Sequence, residues 1–254
     1  MPPVTHVDYP PAESRSASQT ARATLLLREM VIEGQFRPGE RIKEIPLSAK
    51  LSVSRIPLRL ALERLAHEGL LEIRATRGFV VQQFSTTDIY DAIDLRGLLE
   101  GAAARLAAER LRDARDLAPL RESCEAMEAL FDKRKLTLEA FTGFIEQNAR
   151  FHKGLADLCR SRILRRAIQQ ASSLPFGSPS AFLLTQQFVA DSRHLFLVAL
   201  DHHRDILDAI ASHEGARAET LAREHARLAR RNLDTALKDR ELLKSVRGGK
   251  LIEL

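Results

Sequence analysis

The sequence has few cysteines and no long apolar run, and both shortages limit what the chain can be. Two cysteines among 254 residues, Cys124 and Cys159, are too few and too far apart for a disulfide framework, so we expect free thiols in a reducing compartment. No apolar stretch approaches the length of a membrane span, and residues 1–19 lack the apolar centre of a signal peptide. These absences predict a soluble, cytoplasmic protein with no membrane partner.

Motifs of several enzyme classes are missing as well. The sequence contains no glycine-rich phosphate loop, no Cys-x-x-Cys redox pair and no Ser-His-Asp arrangement at a familiar spacing. The Glu-x-x-His pairs of di-iron helical bundles are also absent. We therefore predict that the chain is not an enzyme.

A third shortage is local and concerns acidic residues. The eighteen residues Ile45–Leu62 contain no Asp or Glu, although they carry Lys50, Arg55 and Arg59. Residues 20–84 hold eleven Lys/Arg against seven Asp/Glu, within a chain of net charge +5. A basic segment without carboxylates is not repelled by a polyphosphate, so this composition favours a surface that approaches DNA.

The centre of this acid-free segment has the features of a helix start. Ser54 can cap a helix, and Pro57, three residues later, is tolerated only in a first turn. Such a helix places Arg55 and Arg59 one turn apart near its N-terminus, the end at which a recognition helix meets base edges and phosphates. The plainer alternative is that both arginines belong to an ordinary solvated helix face.

Hydrophobic periodicity and turn residues predict three helices and a hairpin for residues 20–84. The predicted helices run from Ser18 to Gln35, from Ile45 to Leu51 and from Ser54 or Arg55 to His67, and the predicted strands are Leu70–Arg74 and Phe79–Gln83. Gly78 lies at the hairpin turn, where a positive φ is needed. Three helices followed by a two-stranded wing form a winged helix-turn-helix. Residues 1–19, rich in Pro, Ser and Ala, are expected to be a disordered leader.

The remaining sequence predicts an all-helical bundle over residues 85–244, so the fold class is mainly α. The predicted helices are Thr87–Arg110, Arg112–Asp132, Thr137–Leu158, Ile163–Ala171, Gln187–Ser212 and Ala216–Lys238. Met127, Phe131, Phe141 and Phe144 are predicted to be core residues. Residues 245–254 are expected to be a flexible tail.

Taken together, these residues resemble a known family. The first domain resembles the DNA-binding domain of GntR-family regulators, through Leu26, Met30, Gly34, Pro38, Gly39, Arg41, Ile42, Leu47, Val53, Ser54, Arg55, Pro57, Arg59, Ala61, Leu62, Arg64, Leu65, Gly69, Leu70, Arg77, Gly78 and Val81. The helical half is similar to the FadR-type (FCD) effector domain, through Leu95, Arg96, Leu99, Glu100, Asn148, Phe151, His152, Leu155, His203, Arg204, Ile206, Leu207, Ala209, Ile210 and His225. The resemblance covers roughly residues 20–240.

The resemblance implies a set of DNA contacts. Arg55 and Arg59 would reach base edges or phosphates, since the guanidinium fork binds guanine O6 and N7 or a phosphate at two points. The other members would contact phosphate or, at the wing tip, the minor groove. The full implied set is Lys50, Ser54, Arg55, Pro57, Arg59, Arg77 and Gly78.

Two residues of the third helix depart from the family pattern. Ile56 stands where the family generally has Thr, and Leu60 stands where it usually has Glu. Loss of the Thr hydroxyl removes a hydrogen bond to phosphate or base, so neither the operator sequence nor the affinity carries over from the family, even if the docking mode is kept.

The resemblance also implies a divalent metal ion, Zn or Ni, held by Asn148, His152, His203 and His225. Asn148 and His152 are four residues apart and share a helix face. The family usually has Asp at the first of these positions, and a neutral amide is a weaker ligand. Helical phase leaves His202 and His203 open as alternatives, whereas the family's His-Arg-x-Ile-Leu pattern favours His203.

Arg96 is the candidate for binding the effector. The family resemblance implies that it points into the bundle and binds a carboxylate beside the metal, whereas its spacing from Glu100 is that of an ordinary intrahelical ion pair. Four other histidines are interpreted as ordinary core or surface residues, namely His6, His67, His194 and His213.

The resemblance thus implies an effector-responsive transcriptional regulator, which in this family is most often a repressor. We expect a homodimer, because an inverted-repeat operator matches a two-fold symmetric protein, and a small organic acid as effector. One alternative is a metal-dependent enzyme that uses the three histidines. Another is a metal that only holds the bundle together.

Overall fold

A computed structural model describes residues 12–131, 137–173, 176–181, 183, 192–239, 241, 243, 246 and 248–253, with side chains from residue 18 onwards. The chain divides into two compact units, Met1–Gln83 and Phe84–Leu254. Nine α-helices and one hairpin lie in the described ranges, which confirms the mainly α fold class. No helix in those ranges is both long and apolar enough to cross a membrane.

The first unit is a winged helix-turn-helix, as predicted. Its elements are α1 (Ala12–Ile32), α2 (Glu44–Leu51), α3 (Arg55–His67), β1 (Leu71–Arg74) and β2 (Gly78–Val81). The two strands are antiparallel, with Leu71 opposite Val81 and Arg74 opposite Gly78. Apolar side chains of α1 and α3 form the core between these helices, and Leu27, Val31, Leu58, Leu62 and Leu65 are fully buried.

Helix α1 begins earlier than the sequence predicted. Residues 12–19 belong to this helix, so the expectation of a disordered leader over residues 1–19 is wrong for them. Residues 12–19 contain no proline or glycine, the two residues least favourable inside a helix, so they can extend the helix once its C-terminal turns are anchored. The rest of the expected leader, residues 1–11, lies outside the described residues.

Residues 39–42 form a short extended segment that pairs with β2. The sequence did not indicate this pairing. The backbone N–H of Gly39 donates to the Val81 carbonyl at 2.9 Å, and the N–H of Ile42 donates to the Phe79 carbonyl at 2.9 Å. The sequence predicted no strand between the first two helices. Four residues with no apolar alternation carry no strand signal of their own, so pairing with β2 is what holds them extended.

The turn between α2 and α3 sets the start of the third helix. Ser52 has a left-handed backbone (φ 52°), and Val53 beside it is buried. The Ser48 hydroxyl donates to the Val53 carbonyl at 2.6 Å and closes this turn. Helix α3 therefore begins at Arg55 with Ser54 at its N-cap position, which confirms the predicted helix-turn-helix.

The second unit contains six described α-helices. They are α4 (Thr86–Arg110), α5 (Ala118–Ala129), α6 (Leu138–Leu158), α7 (Arg162–Ser173), α8 (Ser192–Ala211) and α9 (Gly215–Leu237), with short 3-10 turns at Ala114–Leu117 and Gly249–Leu251. The predicted core residues Met127, Phe131, Phe141 and Phe144 are all buried in its main hydrophobic cluster.

One helix prediction in this unit is wrong, and another extends into residues that the structure does not describe. The helix predicted from Arg112 to Asp132 is a 3-10 turn followed by α5, because Pro119 occupies the first turn of α5 and restarts the helix there. The predicted start of α8 at Gln187 lies outside the described residues, as does Asp132.

Helices α4 and α9 approach each other closely because α4 carries two glycines at the contact. A Cβ on Gly97 would lie 2.8 Å from the Cβ of Ala226, and one on Gly101 would lie 3.1 Å from the Glu219 carbonyl oxygen. The first distance is shorter than real Cβ contacts, and the second is tight enough that the neighbouring carbonyl would have to shift. The glycines therefore let α4 present its buried polar residues directly to α9.

The C-terminal residues pack against the second unit, which contradicts the predicted flexible tail. Leu251 is fully buried and Val246 is nearly so. The N–H of Phe84 donates to the Leu251 carbonyl at 2.9 Å, and the N–H of Glu253 donates to the Phe84 carbonyl at 2.8 Å. The tail is too short to show a periodic pattern, so its order comes from this pairing with Phe84.

Candidate DNA-binding and metal-binding sites

The exposed face of α3 carries both predicted reading arginines. Arg55 forms no ion pair with any residue that the structure describes. The Nε of Arg59 lies 3.5 Å from Oε1 of Glu63. Both side chains are well exposed, so solvent weakens this ion pair. Two guanidinium groups on the first two turns of the helix are therefore accessible to a ligand.

The other predicted DNA-contacting residues are exposed, with two exceptions. Lys50, Ser54 and Arg77 are exposed, and Gly78 at the wing turn is half-buried with a φ of 68°. Pro57 is a correction, because it is buried in the first unit. A buried ring has little surface left for DNA, so Pro57 shapes the first turn of α3 rather than touching phosphate.

Ser54 occupies the N-cap position of α3 without capping it. Its backbone is extended (φ −66°, ψ 162°), but its side chain makes no capping hydrogen bond. The sequence predicted that this serine caps the helix. An exposed hydroxyl at a helix N-terminus, next to free backbone N–H groups, is a suitable donor for a phosphate oxygen.

Three buried histidines from three helices converge in the second unit. His152 lies on α6, His203 on α8 and His225 on α9. Their Nε2 atoms face one another, at 3.1 Å between His203 and His225 and 3.2 Å between His225 and His152. Of the His, Cys, Asp and Glu residues in the described ranges, these three form the group suited to a metal ion.

The spacing of the three nitrogens fits a bound metal. Two imidazole nitrogens, each roughly 2.0–2.1 Å from one ion, lie about 2.9–3.4 Å apart for octahedral to tetrahedral angles. The observed separations fall within this range. Neutral imidazoles are the form that binds metal, and burial, followed by the neighbouring histidines, lowers the pKa of both His203 and His225 well below its ordinary value.

A buried carboxylate orients one of the histidines. The Oε1 atom of Glu100, on α4, lies 3.0 Å from Nδ1 of His152. The Oε2 atom of Glu100 accepts a hydrogen bond from Nη1 of Arg96 at 2.8 Å. Burial by itself would raise the pKa of Glu100, but Arg96 and His152 outweigh it and lower this pKa to about 2. An ionised Glu100 holds the Nδ1 proton of His152 and leaves Nε2 free for a metal.

The role of Glu100 was missed at the level of sequence. Its spacing from Arg96 indicated an intrahelical pair, and that pair exists. Contact with His152 depends on the packing of α4 against α6, which no local pattern reveals. His203 and His225 have no such partner, since their buried Nδ1 atoms make no hydrogen bond to any described residue.

The structure separates the two neighbouring histidines of α8. His203 is fully buried, belongs to the cluster and stacks on Phe151, with ring centroids 4.0 Å apart. His202 is only half-buried and is not part of the three-histidine group. Of the two alternatives that helical phase left open, His203 is the one that faces the site.

A small cavity adjoins the cluster and connects it to the two other predicted site residues. Arg96, Asn148 and His225 all line this cavity, whose volume of about 30 Å³ suits one or two waters rather than an organic molecule. The Asn148 Nδ2 donates to the Ser180 hydroxyl at 3.1 Å. Arg96 is buried, and its Nε has no partner among the described residues, so it retains an unused donor.

The described residues thus combine a winged helix-turn-helix with a helical bundle that contains a buried histidine cluster. The sequence matches the family described as bacterial regulatory proteins, gntR family, over residues 19–81, and the FCD domain over residues 91–228. The chain therefore belongs to the FCD-domain branch of the GntR family, as the resemblance implied.

Similar proteins support the same class. The chain is 45% identical to the Nta operon transcriptional regulator of Aminobacter aminovorans over 93 residues, covering 37% of this chain and 44% of that regulator. It is 27% identical to the probable D-xylose utilization operon transcriptional repressor of Paenarthrobacter nicotinovorans, covering 84% of this chain and 89% of that repressor. A GntR regulator structure from Rhodococcus sp. RHA1 shares the fold, with a TM-score of 0.55, 23% identity, and coverage of 87% and 99%.

These matches decide between the alternative functions that the sequence left open. Both families, and the relatives that match along most of the chain, are transcriptional regulators. The chain is a DNA-binding transcriptional regulator and not an enzyme, and the alternative of a three-histidine hydrolase or oxidase is set aside.

Proposed function

We propose that the protein is a homodimeric repressor whose operator binding is controlled by a small carboxylate effector at a divalent metal site. The observation that carries the proposal is the convergence of the Nε2 atoms of His152, His203 and His225. The Nε2 atom of His225 lies 3.1 Å from that of His203 and 3.2 Å from that of His152, so one divalent ion would accept the lone pairs of all three imidazoles.

The metal would be held by these three histidines together with Asn148, which lines the adjoining cavity. Imidazole ligands suit Zn and Ni, and a metal with protein ligands on one side leaves positions open for carboxylate oxygens. The amide of Asn148 carries no charge. We therefore expect metal affinity to depend mainly on the histidines and on Glu100, which contacts His152.

Arg96 is the residue proposed to bind the effector carboxylate. It lines the cavity beside His225, and its Nε lacks a partner while Nη1 is used by Glu100. A buried guanidinium with an unused donor favours an anion, because leaving a buried donor unpaired costs about 1–3 kcal/mol. The cavity has to enlarge to admit an organic acid, so effector binding would be coupled to a change in packing.

A homodimer would place two copies of α3 on the two halves of an inverted-repeat operator. Arg55 and Arg59 would contact base edges, while Ser54, Lys50 and the wing tip at Arg77–Gly78 would contact the backbone or minor groove. An effector releases the operator only if it binds the DNA-bound and free arrangements with different affinity.

The metal site is tested by comparing two neighbouring histidines. We expect His203→Ala to remove most of the metal that co-purifies with the protein, whereas His202→Ala retains it, because only His203 faces the cluster. Elemental analysis of the two dialysed variants measures this directly. Metal loss from His202→Ala but not from His203→Ala would contradict the proposed ligand set.

The effector is tested on the wild-type protein. Small organic acids are screened by thermal shift with and without added Zn or Ni, and the active ones are added to the protein bound to its own promoter duplex. We expect stabilisation that depends on metal and release of the DNA. If metal removal melts the second unit but leaves effector-induced release unchanged at low temperature, the metal is structural and the proposal fails.

A further inference from the structure

Helix α3 exposes two apolar side chains in its DNA-reading turns. Ile56 is 73% exposed and Leu60, one turn later, is 47% exposed. Within the first unit, no other large apolar side chain in the described ranges is as exposed as Ile56. The fold does not need either side chain for its core, because Pro57, Leu58, Ala61 and Leu62 already provide the buried face of the helix.

The surroundings of these side chains are basic rather than apolar. Ile56 is flanked in sequence by the exposed Arg55 and lies one turn from Arg59. The segment Ile45–Leu62 around them contains no acidic residue. Two guanidinium groups beside an isoleucine suit an anionic partner that also offers a small apolar group.

The major groove of duplex DNA provides this combination. Its edges present phosphates and hydrogen-bonding atoms at every base pair, and its apolar group is the C5-methyl of thymine. The residues that reach base edges are those in the first turns of a recognition helix, and Ile56 is the second residue of α3. An isoleucine side chain has no donor or acceptor, so its direct contribution to base discrimination must come from apolar contact.

We propose that Ile56 is a specificity-determining residue that packs against a thymine methyl group in the operator, with Leu60 extending the same apolar stripe by one turn. The proposal rests on the docking of α3 in the major groove described above and adds to it the identity of a base. Arg55 and Arg59 then supply affinity and guanine or phosphate contacts, while Ile56 selects thymine at the position between them.

The test removes the methyl group without changing base pairing. The full-length protein first selects duplexes from a random library, and each thymine of a selected duplex is then replaced singly by deoxyuridine. For the wild-type protein we expect at least one replacement to weaken binding about fourfold, the size expected when one methyl group loses its apolar contact. Fluorescence anisotropy measures the dissociation constants.

Two substitutions connect this loss to Ile56. Ile56→Ala should weaken binding to the thymine duplex about fourfold and should then be insensitive to the same deoxyuridine replacement. Ile56→Val keeps both the β-branch and the apolar contact and should remain sensitive to the deoxyuridine replacement, which separates loss of the methyl contact from a change in helix stability. The matched control is Leu25→Ala on α1, a residue that is 61% exposed and should retain the full methyl effect.

Three results would count against the inference. If no thymine replacement affects the wild-type protein, or if Ile56→Ala remains as sensitive as the wild type, Ile56 does not read a methyl group, although operator binding by α3 stands. If the selection retains no specific duplex at all, the proposed docking of α3 fails together with the inference.

Discussion

Glu100 shows how one buried residue can give two others their roles. Its carboxylate bonds to Arg96 on one side and to His152 on the other, and all three side chains are buried. The pair with Arg96 keeps Glu100 ionised, and the ionised carboxylate orients His152 toward the other two histidines. Arg96 donates to Glu100 through Nη1, whereas its Nε has no partner among the described residues and is available to another ligand.

Arg55 is the residue at which the DNA-binding proposal is most easily tested. Because Arg55 is exposed on the first turn of α3 and has no described ion-pair partner, Arg55→Ala should leave stability unchanged and cost about 1–3 kcal/mol of specific binding. The measurement is the affinity for a selected duplex and for an unrelated duplex of equal length.

A matched control lies on the same helix. Arg64 is exposed in the last turn of α3 and pairs with Glu68, so Arg64→Ala should have a much smaller effect on specific binding. Equal losses for Arg55→Ala on both duplexes would show that Arg55 contacts only phosphate.

At the scale of the secondary-structure elements, two serines at helix starts behave differently. Ser85 caps α4 in a full capping box, in which its hydroxyl accepts from the Asp88 N–H and the Asp88 carboxylate accepts from the Ser85 N–H. Ser54 holds the same position in α3 and makes no such bond. One serine therefore stabilises its helix, and the other has its hydroxyl free for an external partner.

This contrast predicts opposite effects of the same substitution. Ser85→Ala should lower the free energy of unfolding by about 1 kcal/mol, the usual cost of losing an N-cap, and should leave DNA affinity unchanged. Ser54→Ala should barely change stability but should weaken DNA binding, since it removes a phosphate donor. Chemical denaturation and anisotropy on the two variants measure both quantities. A large stability loss in Ser54→Ala would show that its hydroxyl caps α3 after all.

At the scale of the whole molecule, the two ends of the second unit are joined. Phe84, the first residue of this unit, forms a parallel bridge with Ile252 and an edge-to-face contact with Phe176, with ring centroids 5.3 Å apart. Phe176 and Pro179 belong to the same short segment, and Pro179 lines the cavity next to the histidines. Residues near the C-terminus are therefore part of the same packed structure as the proposed effector site.

Truncating the buried side chain near the C-terminus should destabilise this unit. Leu251 is fully buried, so Leu251→Ala should cost about 2–5 kcal/mol of unfolding free energy, the usual cost of creating a cavity in a core. Glu253→Ala is the control, because the Glu253 side chain is exposed and the substitution leaves the backbone bond to Phe84 in place. Thermal and chemical melts compare the two. If both variants are equally stable, the result would support the flexible tail that the sequence predicted.

The sequence by itself determined the local features of the protein. Turn residues, the helix start at Ser54 and the spacing of apolar residues were enough to predict the winged domain and most helices of the bundle, because helix periodicity and capping depend on neighbours within one or two turns. The composition and spacing of Asn148, His152, His203 and His225 were enough to propose a metal site once the family resemblance was included.

Only the tertiary structure decided which side chains meet. Helical phase could not choose between His202 and His203, and the contact of Glu100 with His152 joins residues 52 positions apart on different helices. The pairing of residues 39–42 with the wing and of Ile252 with Phe84 also carried no local signal. These features depend on how closely elements approach, and here that distance is set by packing details such as Gly97 and Gly101 at the α4–α9 contact.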